Sequence, residues 1–135
     1  MTGRVVLIED EANIAEAIRF LLSREGWRVD VHGDGATALE VIRAAAPDLV
    51  ILDLMLPGKS GMEIIREIRE VEAMVDLPVL MLTARGQHKD REMAERAGVT
   101  RFMTKPFANA EVLTAVRDLN AQAAQRRARG ARDAG

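Results

Sequence analysis

Val50-Ile51-Leu52-Asp53-Leu54-Met55-Leu56-Pro57-Gly58 is the stretch whose reading decides the fold. An apolar run stops at a single carboxylate, and the chain then turns through Pro57-Gly58. Pro47 and Pro57 bracket a segment of strand length. Apolar side chains at almost every position suit a strand buried on both faces, the mark of a parallel sheet covered by helices. Ligands and chemistry collect just beyond the carboxyl ends of strands in such sheets. Asp53 stands where a reactive acid would stand. Taken alone, an Asp before a turn is more often an Asx-turn cap, so its neighbours must decide.

Working outward, the same grammar repeats. Arg4–Ile8 is a short apolar strand ended by Glu9-Asp10-Glu11. Ala12–Arg24 follows with Ile14, Ala17, Ile18, Leu21 and Leu22 at the spacing of an amphipathic helix, and Gly26 closes it. Trp27–His32 alternates as a strand, and Asp34 caps a helix from Gly35 to about Ala45. Ser60 or Gly61 opens a helix carrying Met62, Ile64, Ile65 and Ile68. Pro78–Leu82 is a second wholly apolar strand, ended by Thr83. A polar helix over about Lys89–Ala97 is closed by Gly98, and Val99–Thr104 is the last strand. Lys105-Pro106-Phe107 leads into a final helix from about Asn109 to Gln122. Strands alternating with helices imply parallel βαβ units with right-handed crossovers, hence a three-layer, doubly wound α/β sheet.

Composition narrows the function classes. The 135 residues suit one domain. No apolar run approaches the ~20 residues of a membrane span, and Met1-Thr2-Gly3-Arg4 leads into a strand rather than a signal peptide. The absence of cysteine excludes a disulfide frame and thiolate chemistry and fits a cytoplasmic setting. The net charge of −2 is uneven: the segment from Ala121 carries +3, which leaves −5 on residues 1–120. An acidic body argues against nucleic-acid binding by the domain itself. His32 and His88 are isolated and read as surface residues.

In a parallel sheet the strand ends Glu9-Asp10, Asp53, Thr83 and Lys105 share one edge, with a crevice where strand order reverses. Each has a dull reading: a helix N-cap or solvated end, a turn cap, a surface turn. Together they form a pocket of three carboxylates, a hydroxyl and an ammonium. Crowded carboxylates repel unless a cation sits among them, and oxygen ligands that leave room for water suit Mg²⁺. A carboxylate can accept a phosphoryl group to become an aspartyl phosphate, and that transfer needs neutralised phosphoryl oxygens more than covalent help.

The stretches Val6-Leu7-Ile8-Glu9-Asp10-Glu11, Pro47–Gly58, Val79-Leu80-Met81-Leu82-Thr83-Ala84-Arg85 and Thr104-Lys105-Pro106-Phe107 resemble the receiver domain of bacterial two-component response regulators. Their wording is most similar to the OmpR/PhoB group. The resemblance covers about residues 4–120. It implies a flavodoxin-like, CheY-like sheet of five parallel strands in the order 2-1-3-4-5, with five helices. It also implies that Asp53 takes a phosphoryl group from a sensor histidine kinase or phosphotransfer protein. Asp10, Asp53 and the Met55 carbonyl would bind Mg²⁺ with Glu9 assisting, and Thr83 and Lys105 would contact the phosphoryl oxygens. The Lys105–Pro106 bond is expected to be cis. Thr83 drawn to the new dianion would let Phe102 turn inward, switching a surface made of the fourth helix, last strand and fifth helix. No enzymatic activity beyond self-directed phosphoryl transfer and autodephosphorylation is expected.

The departures carry information too. Val99-Thr100-Arg101-Phe102 stands where such receivers usually read Ala-Asp-Asp-Tyr, so acidic partners of their dimer face are missing, with Arg91 and Glu111 left to form one pair. A monomer or weak phosphorylation-dependent dimer is expected, because exposed pairs contribute only about 0–1 kcal/mol each. Lys59 sits where an acid is common, near the pocket rim; Met55 and Arg85 flank the entry of a dephosphorylating water, which suggests slow dephosphorylation. Residues 1–122 read as the receiver domain and 123–135 as a disordered basic tail or linker. The downstream target is then either a protein partner or an output domain, with transcription regulation one such output. Two other readings are a degenerate receiver that acts as a phosphorylation-independent interaction module and a haloacid-dehalogenase-like phosphatase. The latter wants a second acid where Met55 stands.

Overall fold

The structure, a computed structural model, describes residues 3–84 and 87–134. β1 (Arg4–Ile8), β2 (Arg28–His32), β3 (Leu49–Asp53), β4 (Val79–Thr83) and β5 (Arg101–Thr104) form one parallel sheet in the order β2-β1-β3-β4-β5. This is the flavodoxin-like order, with reversal between β1 and β3. The helices are α1 (Ala12–Arg24), α2 (Ala38–Ala45), α3 (Gly61–Glu70), α4 (His88–Ala97) and α5 (Asn109–Ala134).

Strand alternation divides the core into two. Val6, Ile8, Val50, Leu52, Val79, Met81 and Phe102 face α2, α3 and α4. Val5, Leu7, Leu49, Ile51, Leu80 and Leu82 face α1 and α5. β3 and β4 are buried at every position, because each has neighbours on both edges and helices on both faces. α3 begins where its sequence says it should: the Ser60 hydroxyl accepts the Glu63 N–H at 3.3 Å. Asp34 also caps, but through Ala36, and it opens a single 3-10 turn (Gly35–Thr37) before α2.

The start of β5 and the end of α5 depart from the sequence reading. β5 starts at Arg101, not Val99, because Gly98 caps α4 at φ 111° and the chain needs Thr100 to rejoin the sheet. The segment expected to be disordered from residue 123 instead continues α5 to Ala134. Lack of an apolar stripe removes packing, not helicity. Ala, Arg and Gln are strong helix formers, and an already nucleated helix extends over them. Ala123 is still buried, so the body of the domain reaches one turn further than the hydrophobic pattern implied.

Candidate functional site

Four strand ends build the site. β1 hands over to Glu9, whose N–H bonds the His32 carbonyl at 2.9 Å, so its side chain starts from a fixed backbone. Glu9 is only 3 % exposed; Oε2 accepts the Glu11 N–H at 3.1 Å and Oε1 accepts Lys105 Nζ at 2.7 Å. Asp53, 4 % exposed, ends β3. Its Oδ1 accepts the Met55 N–H at 3.1 Å and its Oδ2 accepts Lys105 Nζ at 3.1 Å. α3 starts close behind: a Cβ on Gly61 would lie 2.4 Å from the Asp53 carbonyl oxygen. Only glycine lets the helix begin there.

Lys105 crosses to these acids from the far side of Thr83. Its N–H bonds the Thr83 carbonyl at 2.8 Å, and the bond to Pro106 is cis as expected. The ammonium also lies 3.8 Å from Glu11, an acid the sequence reading left without a role. Thr83 is fully buried at the end of β4. Asp10 is exposed, yet its carboxylate oxygen lies within 4.8 Å of those of Glu9 and Asp53.

The charge balance is unfinished. Three carboxylates share this space with the Lys105 ammonium. Burial, and then the Asp53 charge, raise the Glu9 pKa more than Lys105 and the Glu11 amide lower it. Burial pulls the Lys105 pKa down, but hydrogen bonds to Glu9 and Asp53 and the attraction of both acids outweigh it, so the net shift is upward. A hard divalent cation fits this set: the donors are carboxylate oxygens, one is open to solvent, and the cluster carries surplus negative charge.

The rim corrects some expectations and extends others. Lys59 turns to Glu67 at 2.7 Å, and this hydrogen bond raises its pKa against a smaller lowering by desolvation. The Met55 side chain is 53 % exposed at the mouth of the site, and Arg85 lies outside the described residues. Phe102 is already 93 % covered, under the Arg91 guanidinium at 5.4 Å from its ring centroid. That contact had no signal in the sequence, since it joins α4 to β5 across a turn. Arg101 pairs with Asp118 at 3.2 Å within the chain. The His32 side chain hydrogen-bonds Thr37 at 2.7 Å, and His88 lies 2.8 Å from Glu92.

Residues 5–117 match the family profile described as response regulator receiver domain. The chain belongs to that family. The receiver is similar to a protein of Chloroflexus aurantiacus J-10-fl described as a response regulator, with 29% identity and a TM-score of 0.85 over 90% of this chain and 99% of that one. It is similar to the BeF3-activated N-terminal receiver domain of Klebsiella pneumoniae RstA, with 29% identity and a TM-score of 0.79 over 87% and 97%. It also resembles NtrX of Brucella abortus, at 27% identity and a TM-score of 0.87, covering 96% of this receiver but 29% of the NtrX chain. Phosphoryl acceptance is general to receivers. Among the described residues no helix is long and apolar enough to cross a membrane.

Proposed function

We propose that this receiver accepts a phosphoryl group on Asp53 from the phosphohistidine of a sensor kinase or phosphotransfer protein, in a Mg²⁺-dependent reaction. The observation that carries this is the Asp53 carboxylate, buried yet held between the Met55 amide and the Lys105 ammonium beside two further acids. One Asp53 oxygen attacks phosphorus, the P–N bond breaks, and its electron pair returns to the departing imidazole. The product is an acyl phosphate. Asp10, Asp53 and the Met55 carbonyl, with Glu9 assisting, would hold the ion, which supplies charge neutralisation at the phosphoryl oxygens. Lys105 exchanges a contact with Asp53 for one with the phosphoryl group. Thr83 leaves its buried position to donate its hydroxyl there, and Phe102 responds to the space it leaves.

The output is a change in the α4–β5–α5 face, and chemistry on other molecules is no part of it. The motif wording and the likeness to RstA support an OmpR/PhoB-type relationship. Association through that face is weak, because Arg101 is already paired with Asp118 and Arg91 is stacked on Phe102 within the chain. Met55 at the rim shields phospho-Asp53 from water, so its dephosphorylation is slow; a lifetime of seconds in Mg²⁺ would refute that.

Intact-mass measurement after acetyl phosphate and Mg²⁺ tests the central reading. One added phosphoryl group is expected in the parent protein, and none in Asp53→Asn or in the presence of EDTA. An adduct retained in Asp53→Asn would overturn the assignment.

A further inference from the structure

The loop that carries Met55 is held at its base and at its tip. At the base, the Gly61 N–H bonds the Leu54 carbonyl at 2.9 Å. At the tip, the Pro57 carbonyl accepts the N–H of Gly35, a buried residue of the turn that follows β2, at 2.9 Å. The approach is close. A Cβ on Gly35 would lie 2.1 Å from the Lys59 carbonyl oxygen and 3.0 Å from the Lys59 main-chain nitrogen. Gly58 meets the same turn at φ 83°, where a Cβ would come 2.8 Å from Asp34 Oδ1 and 3.0 Å from Ala36 Cβ. Main-chain atoms cannot rotate aside as the end of a side chain can, so any widening here displaces the loop itself.

The turn is braced in its own right. Asp34 Oδ1 accepts the Ala36 N–H at 3.0 Å, and the His32 ring is hydrogen-bonded to Thr37 Oγ1 at 2.7 Å. Beyond the tip, the Lys59 ammonium is drawn to Glu67 on α3 at 2.7 Å. Between these anchors lies Met55, whose N–H donates to Asp53 Oδ1 at 3.1 Å. That is the long end of the ordinary range, so a small displacement weakens it. We infer that Gly35 is a positioning residue of the phosphoryl site: it seats the tip of the loop and thereby fixes the Met55 main chain against Asp53. The inference rests on the proposed roles of Asp53 and the Met55 carbonyl and adds what holds them in register. A methyl group added at Gly35 pushes Pro57 and Lys59 away, and the Met55 amide and carbonyl move with them. Gly33 supplies the contrast. A Cβ there would meet Asp10 Cα at 3.6 Å and the Glu9 carbonyl oxygen at 3.7 Å, which are ordinary contact distances, and would leave the loop tip alone.

Amide exchange of the full chain by NMR in EDTA, paired with calorimetric Mg²⁺ titration, tests the assignment. Gly35→Ala is expected to speed exchange of the Met55 amide about tenfold and to weaken Mg²⁺ binding by about as much. Gly33→Ala is expected to change either by less than about twofold. Should Gly35→Ala fail to fold, Asp34 decides: Asp34→Ala, which frees the Ala36 N–H, should show both effects at about threefold, and Asp34→Asn, which keeps an acceptor oxygen, should behave as the parent. Met55 exchange unchanged in folded Gly35→Ala, losses as large in Gly33→Ala, or parent behaviour in Asp34→Ala would overturn the inference. So would faster Met55 exchange at unchanged Mg²⁺ affinity, which would leave Gly35 a structural part only. If the parent binds no Mg²⁺, the proposed ion site falls and the exchange pattern alone decides. The exchange arm needs no phosphodonor either, so a missing acetyl phosphate adduct with the expected pattern would remove the phosphoacceptor reading and leave the seating of the loop by Gly35 standing.

Discussion

The two edges of the sheet solve the burial of charge in opposite ways. At the carboxyl edge, Glu9 and Asp53 are almost fully buried, and the Lys105 ammonium is shared between them with Asp10 alongside. At the opposite edge, the Arg69 cation meets three neutral carbonyls and a hydroxyl, and the C-terminal stretch of α5 packs nearby: Ala123 and Arg126 border a cleft with Val75, Asp76 and Leu77. The first edge has too much of one charge and is poised to take up a cation. The second has each guanidinium nitrogen hydrogen-bonded and resists change. A receiver needs both, because a surface can move in a defined direction only if something else stays still.

The comparison can be tested, starting with the largest effect. Lys105→Met removes the cation from between two buried acids and should destabilise the metal-free protein by about 3 kcal/mol in urea unfolding, with part of the loss recovered on adding Mg²⁺. No recovery would mean that the acids do not gather a divalent ion. Arg69→Ala should cost about 2 kcal/mol, and here Mg²⁺ should restore nothing, because the Arg69 hydrogen bonds go to main-chain carbonyls and a hydroxyl and to none of the clustered acids. Asp10→Asn should have the reverse sign, stabilising the metal-free protein by about 1 kcal/mol through relief of repulsion. Its advantage should vanish in saturating Mg²⁺. A destabilised Asp10→Asn would show that the cluster is not overcharged.

The smallest expected effect is in the pH profile. Glu9 has a folded pKa above its ordinary 4.5, so its protonated form is favoured by folding. Its contribution to stability is present below the unfolded value and is lost as pH rises through the raised one. The stability difference between the parent and Glu9→Gln, measured in EDTA, should therefore fall as pH climbs above about 4.5. A flat difference would place the strain elsewhere in the cluster.

Much of the site was legible before any coordinates. Asp53, Thr83 and the Glu9-Asp10 pair each follow an apolar run that can only be a strand, and a parallel sheet puts such ends on one edge. Lys105 was legible from Lys105-Pro106 after the last strand, and the structure brings it into contact with Glu9 and Asp53. Phe102 was legible as an aromatic on β5, but not its cover by Arg91, which depends on where α4 settles. Arg69 read as one more charge on an amphipathic helix. Its partners are main-chain carbonyls up to 29 residues away, and these leave no trace in residue type. The end of α5 was misread because apolar periodicity reports packing and not helix formation.

The amino-acid order by itself determined the alternation of strands and helices, the two-sided burial of β3 and β4, and the identity of the acids, hydroxyl and lysine at the strand ends. Those follow from side-chain period and turn chemistry, which are local. Only the tertiary structure decided that the Lys105 ammonium lies between Glu9 and Asp53, that Lys59 turns away to Glu67, and that Arg69 ties α3, β4 and the end of α4 together. Ion pairs and main-chain hydrogen bonds across the fold depend on distances that no residue carries alone; they exist only once the sheet has set them.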